Sequence, residues 1–351
     1  MSFMKRPAVR HPKLPVNDLG LTVRDYEGGM STLCAGCGHD SITSALVEAA
    51  FKLSIPTHRF AKLSGIGCSS KTPAYFLRDS HGMNSTHGRM PSVATGANSA
   101  DRSLYYIGVS GDGDSLSIGM GQFAHVMRRN LNMLYVIENN GVYGLTKGQF
   151  SAAADVGSTS KKGDANMQPP IDPCQAAITL GATFVARSFS GDKEQLVPLL
   201  MAGLQHRGFA MIDVISPCVT FNDHEGSTKS YEYTREHYHP AIMADFVPPA
   251  KEILARYDEG EAIPVQMHDG GTIILRKLDK SYDPTNRISA ITNLMSSQTA
   301  KEITTGLLYI DESQPDMHEL NNTCQTPLRD LPYSKVCPGN DVLQKVQARY
   351  R

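Results

Sequence analysis

Between about residues 30 and 220, short apolar runs alternate with stretches whose apolar residues recur at helical spacing. That alternation predicts an α/β domain on a parallel sheet flanked by helices. Ile42, Leu46, Ala49 and Leu53 mark a first helix, which His39-Asp40-Ser41 can cap and Pro56 ends. Phe60-Ala61-Lys62-Leu63 reads as a strand, followed by the turn Gly65-Ile66-Gly67-Cys68. Leu104 to Val109 and Met133 to Ile137 predict two more strands, and between them Leu116, Met120, Phe123 and Met127 line one helical face. Asp172-Pro173 opens a short helix that Gly181 closes. A strand from Ala182 to Ala186, a helix marked by Leu196, Leu199, Leu200 and Leu204, and a strand from Phe209 to Ile215 lead to Ser216-Pro217-Cys218. Beyond about 240 the pattern weakens to a helix near Lys251–Tyr257 and short strands near 272–276 and 307–310. The expected organisation is an N-terminal arm over 1–29, the α/β domain over 30–230 and a C-terminal extension over 231–351 that serves subunit contact.

Composition narrows the classes of function. With 40% apolar and 20% charged residues in a 351-residue chain, a sizeable core can form. Lys and Arg number 34 against 35 acidic residues, without a basic stripe, so a nucleic-acid partner is not expected. No apolar run is long enough to cross a membrane, and Met1 to Pro15 has no signal-peptide stretch. A cytoplasmic protein is expected. Seven cysteines, an odd count, argue against a disulfide framework and leave metal or redox use open.

Asp112, within Gly111-Asp112-Gly113-Asp114, and Asn140, within Glu138-Asn139-Asn140-Gly141, end two successive predicted strands joined by one helix. The crossover brings both to the carboxyl rim of the sheet, where open α/β sheets bind ligands. Glycines beside Asp112 let the backbone approach a phosphate, and carboxylate, amide and phosphate oxygens suit Mg²⁺. Cys68 and Cys218 also follow predicted strands, on the same rim, and Cys34 and Cys37 form a C-x-x-C pair. Four thiolates gathered there can hold zinc or an iron–sulfur cluster. Cys174, Cys324 and Cys337 read as packed or incidental thiols. Lys71 and Lys147 are candidates for steering a substrate carboxylate, and His87 for a phosphate contact. Asp223-His224-Glu225 reads as structural or as part of a subunit contact.

The string GDGDSLSIGMGQFAHVMRRNLNMLYVIENNGVYGLTKGQ, with CAGCGHD, SGIGCSS, HGRMPSVATGAN and SPCVTFN in the same order, resembles the beta subunit of 2-oxoacid:ferredoxin oxidoreductases. The resemblance implies a thiamine diphosphate-binding fold of the pyrophosphate type with a C-terminal extension. Asp112, Asn140 and the Val142 carbonyl would then hold Mg²⁺. Ile66, Gly67, Cys68, Ser69, His87, Gly113, Asp114, Gly144 and Leu145 would line the cofactor. It also decides for one 4Fe–4S cluster on Cys34, Cys37, Cys68 and Cys218.

The implied reaction is oxidative decarboxylation of a 2-oxoacid with coenzyme A, giving acyl-CoA, CO₂ and electrons for ferredoxin. The YGLTKGQ loop and the long tail favour 2-oxoglutarate, with pyruvate as runner-up. An alpha subunit would supply the Glu that faces the cofactor's pyrimidine, in an (αβ)₂ assembly. A non-redox thiamine enzyme and a zinc-stabilised scaffold without catalysis are the rival readings.

Overall fold

The computed structural model describes residues 13–158, 165–220, 252–267 and 271–350. Its centre is a nine-stranded sheet. In chain order the strands are β1 (Phe60–Ser64), β2 (His81–Asn84), β3 (Tyr105–Gly111), β4 (Met133–Asn139), the hairpin β5 (Val142–Tyr143) and β6 (Gln149–Phe150), β7 (Phe184–Phe189), β8 (Phe209–Ile215), β9 (Ala262–Gln266), β10 (Thr272–Lys277) and β11 (Ile303–Ile310). The sheet order is β2-β1-β3-β4-β8-β7-β11-β10-β9, with β5 and β6 paired apart. The strands from β2 to β7 in that order run parallel to their neighbours, and β11 adds antiparallel to β7. Three strands from beyond residue 260 thus extend the same sheet, and the boundary expected near 230 falls outside the described residues.

Helices cover both faces. On one face α1 (Gly38–Lys52) buries Ile42, Ala45, Leu46, Ala49 and Ala50 against the sheet. The helices α2 (Met90–Ala100), α3 (Met120–Arg128) and α4 (Pro173–Leu180) cover the opposite face through Met90, Ala94, Phe123, Val126, Ala177 and Ile178. The helix α5 (Lys193–Gln205) joins α1 through Leu196, Val197 and Leu200. Parallel strands covered on both faces are apolar almost throughout, and every residue of β4 is buried.

Several local expectations need correction. The first helix starts at Gly38 after Cys37, with no side-chain cap, so His39 is not a capping residue. Residues 252–258 form no helix; the chain there lies extended, with Ala255 N–H donating to Gly191 O at 3.2 Å. Leu116 belongs to a wider turn, Gly113–Ile118, rather than to α3. Asp172 does cap α4, accepting from Cys174 and Gln175 N–H, and Gly181 ends it at φ 93°.

Candidate cofactor site

Because β1, β3, β4 and β8 run parallel, their carboxyl ends deliver Gly65–Cys68, Asp112, Asn140 and Ser216–Cys218 to one rim. A cleft of about 420 Å³ opens there. Its walls include all twelve residues expected to line the cofactor or its cation: Ile66, Gly67, Cys68, Ser69, His87, Asp112, Gly113, Asp114, Asn140, Val142, Gly144 and Leu145. Gly111, Glu138, Tyr143 and Thr146, which the sequence did not single out for this wall, also line it, as does His39. Lys71 and Lys147 do not line the cleft; both are exposed.

Asp112 is buried, with Ser151 Oγ donating to one carboxyl oxygen and Asn140 N–H to the other at 3.4 Å. Burial pushes its pKa up to about 6 against those two hydrogen bonds. Asn140 Oδ1 accepts from Val142 N–H at 3.1 Å, shaping the turn that carries the Val142 carbonyl. The bare backbones of Gly111 and Gly113 flank Asp112, and a Cβ on Gly113 would lie 2.5 Å from the Tyr143 ring. The donor set of one carboxylate, one amide and one carbonyl fits a hard divalent cation, and the glycine backbone fits a diphosphate drawn close to it.

Asp114, in the cleft wall, also ties neighbouring segments together. One of its oxygens accepts from Gly88 N–H at 2.7 Å, from Ile66 N–H at 3.3 Å and from His87 Nδ1; the other accepts from Ser110 Oγ at 2.6 Å. The carboxylate thereby ties the β1 turn, the His87 loop and β3 together. With Nδ1 so engaged, His87 leaves Nε2 for the cleft.

Beside the cleft lie His39, Glu138 and Ser216, all buried. His39 Nδ1 meets Ser216 Oγ at 2.5 Å and Glu138 Oε2 at 3.7 Å. Burial lowers the His39 pKa to about 4, so the ring is neutral near pH 7 and the contact with Glu138 is not an ion pair. Glu138 is fully buried, neither oxygen has a hydrogen-bond partner among the described residues, and burial holds its pKa well above the usual carboxylate range. The nearby Thr72 hydroxyl donates to Ser69 O instead.

The cysteine segments meet at the same edge. Gly38 N–H donates to Pro217 O at 3.3 Å, and Thr220 Oγ1 to Cys34 Sγ at 3.3 Å. Burial raises the Cys37 thiol, with Cys218 adding to the rise; Cys68 is raised by burial and by Cys34, against Lys71. None of the four cysteines is in a disulfide. Among the described residues no three His, Cys, Asp or Glu side chains are placed around a single metal ion. Cys174 is buried away from this edge and points at Ala186 O, 3.6 Å away. Residues 221–251, including Asp223-His224-Glu225, lie outside the described residues.

Residues 65–214 match the model of the thiamine pyrophosphate enzyme C-terminal TPP binding domain. A 2-oxoacid:ferredoxin oxidoreductase subunit beta from a Sulfolobus species is 36% identical over 256 residues, covering 73% of this chain and 78% of the relative. The chain belongs to the family of 2-oxoacid:ferredoxin oxidoreductase beta subunits. The 2-oxoglutarate oxidoreductase subunit KorB of Mycobacterium tuberculosis is 39% identical over 191 residues, 54% of this chain and 51% of the relative. In structure the chain is similar to 2-oxoglutarate:ferredoxin oxidoreductase from Magnetococcus marinus, solved with 2-oxoglutarate, coenzyme A and succinyl-CoA bound. That likeness has TM-score 0.68 and 29% identity, covering 89% of this chain and 91% of that one. The family thus accounts for the α/β fold. As to location, among the described residues no helix is long and apolar enough to cross a membrane.

Proposed function

We propose that this beta subunit binds thiamine diphosphate and catalyses oxidative decarboxylation of a 2-oxoacid, 2-oxoglutarate in first place, with coenzyme A. The products are acyl-CoA and CO₂, and a pair of electrons leaves through one 4Fe–4S cluster to ferredoxin in the cytoplasm. The observation that carries this reading is the cleft itself: Asp112 and Asn140 end adjacent strands, and Cys68 of the four candidate cluster ligands lines the same cleft. The names of the relatives, two of which specify 2-oxoglutarate, support the substrate.

Asp112, Asn140 and the Val142 carbonyl hold Mg²⁺, and Gly113 exposes backbone to the diphosphate. Asp114 fixes the cleft walls and orients His87. Cys34, Cys37, Cys68 and Cys218 hold the cluster at the edge where Cys68 also lines the cleft, so electrons have a short exit. When bound, thiamine diphosphate supplies an electron sink for the carbon left by loss of CO₂. Lys71 and Lys147, exposed here, contact the substrate carboxylate only if the alpha subunit covers them. That subunit contributes the Glu facing the pyrimidine, and pairs assemble as (αβ)₂.

A substrate panel on the assembled enzyme, with a viologen dye as acceptor, tests the reading. The expected result is coenzyme A-dependent dye reduction with kcat/KM highest for 2-oxoglutarate. A higher value for pyruvate overturns the substrate, and coenzyme A-independent release of aldehyde and CO₂ without dye reduction overturns the reaction class.

A further inference from the structure

A buried charge relay runs behind the cation-binding turn. Arg187 on β7 and Asp213 on β8 are register partners, both buried, and Arg187 Nε donates to Asp213 Oδ2 at 2.7 Å. The other end of the guanidinium, Nη2, donates to Asp172 Oδ1 at 2.7 Å, at the cap of α4. On the far side Asn139 Nδ2, at the end of β4, donates to Asp213 Oδ1 at 3.0 Å. Both oxygens of Asp213 are thus occupied, one by a cation and one by an amide.

Asn139 is where this relay meets the site. Its carbonyl accepts from Ser216 N–H at 2.8 Å, two residues before Cys218. Its peptide link to Asn140 carries the N–H that donates to Asp112. Rotation of Asn139 would therefore disturb the cation-binding turn and the cysteine segment together. A buried ion pair is costly to desolvate and is a weak source of net stability, so fixing geometry is the better reason for its presence. Residues behind metal ligands act in this way by locking the ligands' orientation.

We propose that Asp172, Arg187, Asp213 and Asn139 form a positioning relay that holds the Asn140–Val142 turn in register with Asp112 and, through the Asn139 carbonyl, seats the Cys218 segment. This rests on the reading of Asp112 and Asn140 as cation ligands. The relay residues touch neither cofactor nor substrate.

The test uses the assembled enzyme, stripped of thiamine diphosphate and Mg²⁺ and titrated calorimetrically with the cofactor over a range of Mg²⁺. Asn139→Leu should raise the Mg²⁺ concentration for half-maximal cofactor binding by about 10–100-fold, the usual loss when a residue supporting a metal ligand is removed. High Mg²⁺ should restore cofactor affinity, and the EPR signal of the reduced cluster should shift. A purely structural role predicts a lower melting temperature with an unchanged Mg²⁺ requirement and unshifted EPR in the folded fraction; that result overturns the proposal. Should Asn139→Leu fail to assemble, a swap decides. Asn139→Asp alone sets two carboxylates against each other, whereas Asn139→Asp with Asp213→Asn restores the hydrogen bond with donor and acceptor exchanged. Recovery of the Mg²⁺ requirement in the double variant supports the relay, and no recovery overturns it. Asp112→Ala, measured in parallel, separates the two ideas. If it keeps Mg²⁺-dependent binding, the ligand reading fails and the relay with it. If it loses binding while Asn139→Leu behaves as wild type, the relay alone fails.

Discussion

Gly113→Ala is the smallest change that should open the candidate cofactor site. Gly113 does not have a positive φ, so alanine meets no backbone penalty there. The added methyl carbon, however, would sit 2.5 Å from Cε1 and 2.6 Å from Cζ of Tyr143. Ordinary carbon contact needs about 3.5–4.0 Å, so the ring must retreat by about 1 Å or more. Its hydroxyl donates to Gly113 O at 3.0 Å and its ring packs edge-on to His87 at 6.1 Å between centroids, and both contacts would weaken. The ring belongs to β5, next to Val142, so the displacement is passed directly to the cation-binding turn. Forced overpacking costs about 1–3 kcal/mol in a tight core. The lower half of that range is expected here, because Tyr143 is only partly buried on a two-residue strand that can shift. In thiamine diphosphate affinity that is about 5–30-fold, using about 1.4 kcal/mol per factor of ten. The clash predicts its own rescue. In a Tyr143→Ala background the methyl has open space, so Gly113→Ala should add almost nothing and the cycle should show a coupling of about 1–2 kcal/mol. Calorimetric Kd values for the four proteins measure it. Equal losses in both backgrounds would refute the steric argument, and an unchanged Kd for Gly113→Ala would remove Gly113 from the cofactor site.

Serine at Cys34, Cys37, Cys68 or Cys218 should each lower iron content and alter the EPR of the reduced protein, since a hydroxyl is a poorer iron ligand than a thiolate; Cys174→Ser should do neither. Lys62 is buried and its pKa is lowered to about 8, whereas an unfolded lysine titrates near 10.5. Between those values the unfolded chain holds more protons, so this residue should make stability rise with pH from about 8 to 10.5, by at most about 3 kcal/mol. Thermal midpoints of Lys62→Met should lack that rise, and parallel curves for variant and wild type would contradict it. The beta subunit expressed alone should not reduce dye with any 2-oxoacid, because the Glu that faces the pyrimidine is expected from the alpha chain. Full activity of the lone chain, assayed across a sizing column, would refute the split site.

The α/β core was legible because parallel strands covered on both faces leave uninterrupted apolar runs, as in Met133–Ile137 and Phe209–Ile215. What lay at the edges was not. β2 is the edge sequence His-Gly-Met-Asn, largely exposed, with nothing to mark it as a strand. The α2 sequence Met-Pro-Ser-Val-Ala-Thr-Gly-Ala-Asn-Ser-Ala is poor in strong helix formers; buried Met90 and Ala94 hold it in place. The expected helix near Lys251–Tyr257 lost to backbone contact with Gly191, a distant partner that no local pattern reveals. The tail's strands were partly visible, but not that β11 would pair antiparallel with β7 and continue the sheet.

In the candidate site, Asp112 and Asn140 could be placed from topology alone, since a single crossover leaves no choice of rim. His39, Glu138 and the Arg187–Asp213 pair could not, because distant elements bury them. A usable signal was nevertheless present: a charge inside a strand that is apolar on both sides. Lys62 in β1, Glu138 in β4, Arg187 in β7 and Asp213 in β8 all fit that description. Burial of such a group is tolerable only with a partner. Lys62 donates to the Phe76 and Leu77 carbonyls, and Arg187 and Asp213 satisfy each other. Among the described residues, Glu138 alone of the four has neither carboxyl oxygen hydrogen-bonded, and it is the one that lines the cleft, beside His39 and within the same wall as Cys68. Strand charges that find protein partners mark the scaffold behind the candidate site.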